Sequence, residues 1–208
     1  MFSSMLEEIS IGGERLDAQQ RRRIEQLGTL WTQYAPAMNL TARSDAASLG
    51  AQVRESLLLV ELAHQLGVGP SARWVDVGSG GGFPGLVVAA ALEGVELVLV
   101  EPRQRRASFL ELALASIGRR DCRVVRARLE DRGWKPIDRD DTLRSTRFAC
   151  ASSRATFAPE QWLARARTIV EPEGLVFCHL RVGQEDPEGF DSIGRCQDER
   201  WSVRAYRA

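Results

Sequence analysis

The stretch Trp74-Val-Asp-Val-Gly-Ser-Gly-Gly-Gly-Phe-Pro-Gly-Leu86 places five glycines within eight residues, directly behind a short apolar run. Backbone this bare is costly to order, so some other group is expected to lie against it. Arg73–Val77 reads as a short buried strand, and Pro84–Leu92 as a helix with proline in its first turn. A glycine-rich turn from strand into helix serves nucleotides, phosphates and adenosyl cofactors alike. The neighbouring residues must decide between them.

A phosphate-binding P-loop requires a lysine after its last glycine, and none follows Gly85. Gly80-Gly-Gly82-Phe-Pro-Gly85 does fit the dinucleotide spacing G-x-G-x-x-G, which is weak on its own. Asp76, on the strand before the turn, separates the remaining readings. A dinucleotide sets its pyrophosphate at the helix N-terminus, where a carboxylate would repel it by about 1 kcal/mol or more. S-adenosylmethionine brings an ammonium and a sulfonium to the same place, and an acid there is favourable. Glu101 ends the next strand 25 residues later, in position to take a ribose diol. Asp76, the glycine turn and Glu101 together favour an S-adenosylmethionine site.

Outward from the turn, strands and helices alternate. Val95–Val100, Arg123–Ala127, Phe148–Ser152 and Gly174–Leu180 read as strands, and Arg105–Ile117 and Ala158–Ile169 as helices. Such alternation predicts a mostly parallel sheet covered on both faces. Residues 1–70 read as a helical N-terminal extension packed on the core, leaving 71–208 as the main domain. A first helix is expected over 4–34, with Ile24, Leu27, Leu30, Trp31 and Tyr34 on one stripe and a break at Pro36 and Asn39-Leu-Thr41. A second is expected over 46–66, stopped by Gly67-Val-Gly-Pro70. Asp138–Arg147 reads as a polar loop.

The 208 residues are 44% hydrophobic with zero formal net charge, which fits a soluble globular protein. No segment approaches the roughly 18 apolar residues of a membrane helix. No secretory signal is evident, so the cytoplasm is expected. Cys122, Cys150, Cys178 and Cys196 form no C-x-x-C pair, and His64 and His179 are far apart, so reduced thiols are expected and no metal site. Between Arg103 and Arg132 nine arginines face four acids, a cluster suited to phosphate contacts.

The run Asp76–Gly85 resembles the signature of the small-subunit ribosomal RNA methyltransferase G family, also called glucose-inhibited division protein B. Its Phe-Pro-Gly ending distinguishes it from methyltransferases in general. Asn39-Leu-Thr41, Leu99-Val-Glu101 with Arg105-Arg106 and Phe109-Leu110, Arg128-Leu-Glu130 and Ser153-Arg-Ala155 match in order. The resemblance implies a class I S-adenosylmethionine-dependent methyltransferase, with a Rossmann-like, mostly parallel seven-stranded sheet. It implies methyl transfer to guanine N7 of 16S rRNA, in free RNA or a small-subunit assembly intermediate, by a monomer. By motif, Gly78 and Phe83 border the methionine and sulfonium; Asp76, Ser79 and Gly80 belong to the same cofactor-binding set, and Glu101 keeps the ribose role argued above. Leu129 and Glu130 hold the adenine end, and Arg154 faces both cofactor and substrate.

Guanine N7 carries a free lone pair and no proton, so alignment rather than a general base is required. Orientation of this kind lowers a barrier by roughly 7–11 kcal/mol. Arg154 is the candidate catalytic donor, toward guanine O6. Arg21, Arg22, Arg23 and the arginines from Arg103 to Arg128 are the candidate phosphate contacts, with Phe83 and Phe157 as candidate stacking groups. Departures from the family pattern fall on the substrate side: Gln52 and Glu55-Ser56 stand for a His and an Asp-Ser pair, Arg181-Val-Gly183 for a Lys-Gly, and Ala149 for an aspartate. The C-terminal hairpin at Trp201–Ala208 is expected to be shortened. Two alternatives follow: a methyltransferase of another RNA or a small molecule, and a non-catalytic cofactor-binding scaffold.

Overall fold

A computed structural model describes residues 2–131, 133–138 and 142–208. In chain order it contains α1 (Ser3–Glu8), β1 (Ser10–Ile11), β2 (Glu14–Arg15), α2 (Ala18–Met38), α3 (Ala46–Gln65), β3 (Arg73–Val77) and α4 (Gly85–Ala91). There follow β4 (Glu96–Val100), α5 (Gln104–Ser116), β5 (Arg123–Val125), β6 (Ala127–Glu130), β7 (Gly133–Pro136) and α6 (Thr142–Ser145). The chain continues with β8 (Phe148–Ser153), α7 (Pro159–Ala166), β9 (Val170–Arg181), β10 (Gly194–Gln197) and β11 (Trp201–Arg207). Seven strands form one sheet in the order β10-β11-β9-β8-β3-β4-β5. The run from β9 to β5 is parallel, and β11 is antiparallel to both its neighbours.

Period-two alternation divides the strands between two buried layers. Trp74, Leu97, Leu99 and Phe177 pack under α2, α3, α4 and α5, and Val75, Val77, Val98 and Val176 pack against α7. Trp74 stacks on Phe177 at 4.9 Å and donates its indole N–H to Ser152 Oγ at 3.0 Å. The helices of the first 70 residues thus share a buried cluster with the sheet face. From β3 the chain winds outward to β4 and β5 on one side and to β8 and β9 on the other. The switch in direction opens a crevice at the carboxyl ends of β3 and β8, where such sheets bind ligands.

Several expectations need correction. The helix expected over 4–34 is interrupted by the β1–β2 hairpin, which turns at Gly12 and Gly13, both at positive φ. Asp17 then starts α2 with a capping box closed by Gln20. Pro36 does not end α2, which runs on to Met38 and stops at Asn39, in the left-handed region. The strand expected to reach Ala127 ends at Val125, and β6 folds back on β7. The polar segment 138–147 contains α6, which buries Leu143; residues 139–141 lie outside the described residues. At the C-terminal end β10 and β11 form an antiparallel hairpin, and β11 pairs with β9 from Trp201 to Arg207.

Much of the expected phosphate-binding arginine cluster is structural. The Arg119 side chain is 1% exposed and donates to the carbonyls of Ala89, Leu92 and Val95 and to Asp121. Arg23 is buried against Glu93 and the Ile117 carbonyl, and Arg106 holds the Asn39 carbonyl at 2.7 Å. Arg103, Arg105, Arg120 and Arg128 remain exposed, and Arg132 lies outside the described residues. The four cysteines are free thiols, and burial pushes Cys150 and Cys178 up to about 12. Among the described residues no cluster suits a metal ion, and no helix is long and apolar enough to cross a membrane.

Two outcomes follow from this packing. Arg119→Met leaves three buried carbonyls without their donor and is expected to lower the unfolding free energy by about 3–5 kcal/mol, read by denaturant titration. Asp186 accepts from Tyr206 Oη at 2.6 Å and Arg204 Nη1 at 2.7 Å. Burial alone would raise its carboxyl, but Tyr206, Arg204 and Ser192 hold it down at about 2. Its stabilising contribution is therefore present above the unfolded value near ~3.9 and fades as pH falls toward about 2. Asp186→Asn is expected to flatten the acid limb of the stability curve in that window.

Candidate functional site

The cradle begins where β3 ends. The N–H groups of Gly78 and Ser79 both donate to the Val100 carbonyl, at 2.9 and 3.1 Å, tying the turn to β4. Ser79 Oγ donates to the Asp76 carbonyl at 2.9 Å. Gly80 N–H donates to Glu101 Oε2 at 3.0 Å, and Arg103 N–H to Glu101 Oε1 at 2.9 Å. Glu101, 3% exposed, thus has both oxygens on backbone amides at the floor of the site.

Part of the glycine content serves the protein itself. A Cβ on Gly81 would stand 2.7 Å from the Leu40 carbonyl oxygen, and the Gly81 carbonyl accepts the Trp31 indole N–H at 2.7 Å. The segment after α2 therefore lies directly on the turn. A Cβ on Gly85 would stand 2.6 Å from Asp76 Oδ2. Gly78, at φ 75°, sits with the position of a Cβ only 2.2 Å from Thr156 Oγ1.

Asp76 is not at the mouth of the cradle, as expected, but beneath it, at 1% exposure. Its Oδ1 accepts from Ser152 Oγ at 2.8 Å, and its Oδ2 has no hydrogen-bond partner among the described residues. Burial pushes this carboxyl above its usual range, against the pull of Ser152, Ser79, His179 and Arg154. A buried oxygen left unpaired is a costly feature, and a cation above the helix start would relieve it.

Two clefts meet at the crevice. One, of about 230 Å³, is lined by Val77, Gly78, Val100, Pro102, Leu129 and Thr156, with Glu130 at its edge. The other, of about 470 Å³, is lined by Gln52, Glu55, Arg154, Ala155, His179 and Trp201 among others. Phe157 borders both. The turn Arg154–Phe157 is the partition, and Ala155 within it has φ 56°, a conformation costly for a residue with a Cβ.

Arg154 is anchored on α3, with Nη1 3.0 Å from Glu55 Oε2 and Nη2 2.6 Å from Gln52 Oε1. Its guanidinium carbon lies 5.4 Å from the Phe83 ring centroid. Phe83 stacks on Trp31 at 4.2 Å and is committed to packing, whereas the half-buried Phe157 lies parallel to Trp162 with Arg165 over it and still borders both clefts. Glu55 Oε1 is 2.9 Å from His179 Nδ1. Burial would raise the Glu55 carboxyl, but His179 and Arg154 beside it hold it below the usual carboxylate range. Glu130, an exposed residue, pairs with Lys135 at 3.3 Å.

The structure thus joins Gln52, Glu55 and Arg154, and it adds His179 and Trp201, which sequence reasoning did not place in the site. An ionisable residue within the buried run Val176-Phe-Cys-His-Leu180 was the available signal for His179. Ala149 lies at the opposite end of the sheet, in a groove with Leu66 and Cys150, and faces no substrate cleft.

A parallel sheet with a glycine turn after its central strand, two buried acids at the turn and an apolar cleft beside them defines a class I S-adenosylmethionine-dependent methyltransferase. A variant of MtNAS solved in complex with S-adenosylmethionine shares this fold at TM-score 0.56 and 16% identity, over 91% of this chain and 73% of that one. The chain belongs to the family described as rRNA small subunit methyltransferase G, which matches residues 20–188. Ribosomal RNA small subunit methyltransferase G of Paracoccus denitrificans is 34% identical over 160 residues, 75% of either chain. That of Myxococcus xanthus is 31% identical over 185 residues, 89% of this chain and 80% of its own.

The residues present suit the cofactor. Val100, Pro102 and Leu129 offer apolar walls for a purine, and the Asp76 oxygen without a partner lies buried beneath the glycine turn beside them. Gly78→Ala is expected to destabilise the fold by about 1–3 kcal/mol through the Thr156 contact and the positive φ. In denaturant titrations Thr156→Ala should recover only the contact part of that loss, so the double variant remains weaker than Thr156→Ala alone.

Proposed function

We propose that this protein transfers a methyl group from S-adenosylmethionine to guanine N7 of 16S ribosomal RNA, in free RNA or a small-subunit assembly intermediate. It acts as a monomer in the cytoplasm, with residues 1–70 as a helical extension over the cradle and 71–208 as the methyltransferase domain. The carrying observation is the pair of clefts that meet across the Arg154–Phe157 turn at the switch point of the sheet. One cleft suits the donor and the other an acceptor base.

In this reading Gly78 lines the cofactor cleft, with Ser79, Gly80 and Phe83 in the turn behind it, and Leu129 and Glu130 border the adenine. Glu101 keeps a lone pair on each oxygen for the ribose while its backbone bonds fix the carboxylate in place. Asp76 acts at short range through the helix start rather than by contact. The cofactor supplies an electrophilic methyl on its sulfonium. The chain's own task is to orient the base and exclude water, because N7 needs no deprotonation. Arg154, steadied by Glu55 and Gln52, donates toward guanine O6 and keeps the Hoogsteen edge turned to the donor cleft.

Calorimetry should detect S-adenosylmethionine and S-adenosylhomocysteine but not NAD. Labelled-methyl transfer should mark 16S rRNA or small subunits and leave tRNA unlabelled, with the product mapped as N7-methylguanine. Arg154→Ala is expected to lower kcat about 100-fold while cofactor affinity changes by less than about 3-fold. Unchanged turnover in that variant would remove Arg154 from the reaction.

A further inference from the structure

His179, which lines the larger cleft, carries a buried polar atom that no role given above uses. The His179 side chain is 2% exposed, lines the cleft, and has no hydrogen-bond partner for Nε2 among the described residues. Its other nitrogen is committed. Nδ1 lies 2.9 Å from Glu55 Oε1, and the neighbours of Glu55 hold its carboxyl in the ionised form, which can only accept. Nδ1 therefore carries the proton, and in the neutral ring Nε2 is an acceptor. The same carboxylate holds Arg154, whose guanidinium can only donate. Glu55 thus sets a donor and an acceptor side by side on the wall of one cleft.

We propose that this cleft receives the target guanine, and that His179 Nε2 accepts a hydrogen bond from its Watson–Crick edge while Arg154 serves O6. The proposal rests on the methyl-transfer reading above. Guanine presents O6 as an acceptor beside the N1–H and 2-amino donors, which complements this donor–acceptor pair. Adenine presents an amino donor where O6 would be and an acceptor at N1, so both contacts would be lost. A buried site that matches polar groups rejects a base lacking them far more strongly than an apolar slot would. His179 is a base-reading residue, and Glu55 is the positioning residue that fixes its tautomer.

The rim suits single-stranded RNA around an extruded base. Trp201 lies under two arginines, with Arg181 at 4.0 Å and Arg200 at 5.8 Å from its ring, and the exposed Arg43 and Arg54 stand nearby. Arginine planes and an aromatic ring beside a base pocket fit the stacking and phosphate contacts of an unpaired strand.

The test pairs protein variants with base analogues. RNAs carrying guanosine, inosine or 2-aminopurine riboside at the mapped site are methylated by the wild type, His179→Phe and His179→Gln. Inosine lacks the 2-amino donor, and 2-aminopurine lacks N1–H and O6. At least one analogue should cost the wild type about 10- to 100-fold in kcat/KM. His179→Phe should lose a similar factor on guanosine and show less than about 3-fold discrimination against inosine, with cofactor affinity by calorimetry unchanged. His179→Gln, which keeps an acceptor, should restore part of both. Equal penalties in wild type and His179→Phe would overturn the proposal while leaving methyl transfer intact. So would a wild type that treats all three bases alike, even where His179→Phe does not fold. A wild type that methylates no RNA would overturn the parent reading and this proposal with it.

Discussion

One buried carboxylate ties the substrate side of this protein together. Glu55, on α3, reaches Arg154 at the end of β8 and His179 on β9, so a helix from the first third of the chain fixes two groups that arise a hundred residues later. An ion removed from water in this way is tolerable only because both oxygens are matched. The consequence is rigidity where it is useful. Arg154 gives up rotamer freedom to Glu55 and Gln52 before any ligand arrives, and the His179 ring is held in place through Nδ1.

The cofactor side depends on a different economy. Four bare positions, Gly78, Gly81, Gly82 and Gly85, are each closed off by a protein neighbour: Thr156, Leu40, Leu86 and Asp76. The glycine turn is thus a junction at which the sheet, the N-terminal helices and the β8–α7 turn come closest. Trp31 illustrates the coupling, since it stacks on Phe83 and also holds the Gly81 carbonyl. The helices of the first 70 residues form part of the wall behind the cradle.

The central sheet was legible because its signals are local. A strand run such as Leu97–Val100 is apolar throughout, and five glycines mark the switch from strand to helix after Val77. β11 carries no strand pattern of its own, so only the family resemblance pointed to a hairpin there: Val203, Arg204, Ala205 and Tyr206 are all buried, which erases the alternation that betrays a one-sided strand. The first helix was over-extended because Gly12-Gly13 was outweighed by the helical stripe behind it. In the site, the residues carried by motif fell where strands end, but the depth of Asp76 could not be read from spacing. His179 could not be paired with Glu55 either, since 124 residues separate them and only the sheet order brings them together.

The strand order has a consequence for how the molecule is assembled. β11 follows the other strands of the sheet in chain order, yet it sits between β10 and β9 and places Trp201 on the larger cleft. Domains emerge N-terminal end first during synthesis. The nucleotide-binding half can therefore fold early, whereas the surface that would grip a polynucleotide is completed only when the final hairpin zips onto the sheet.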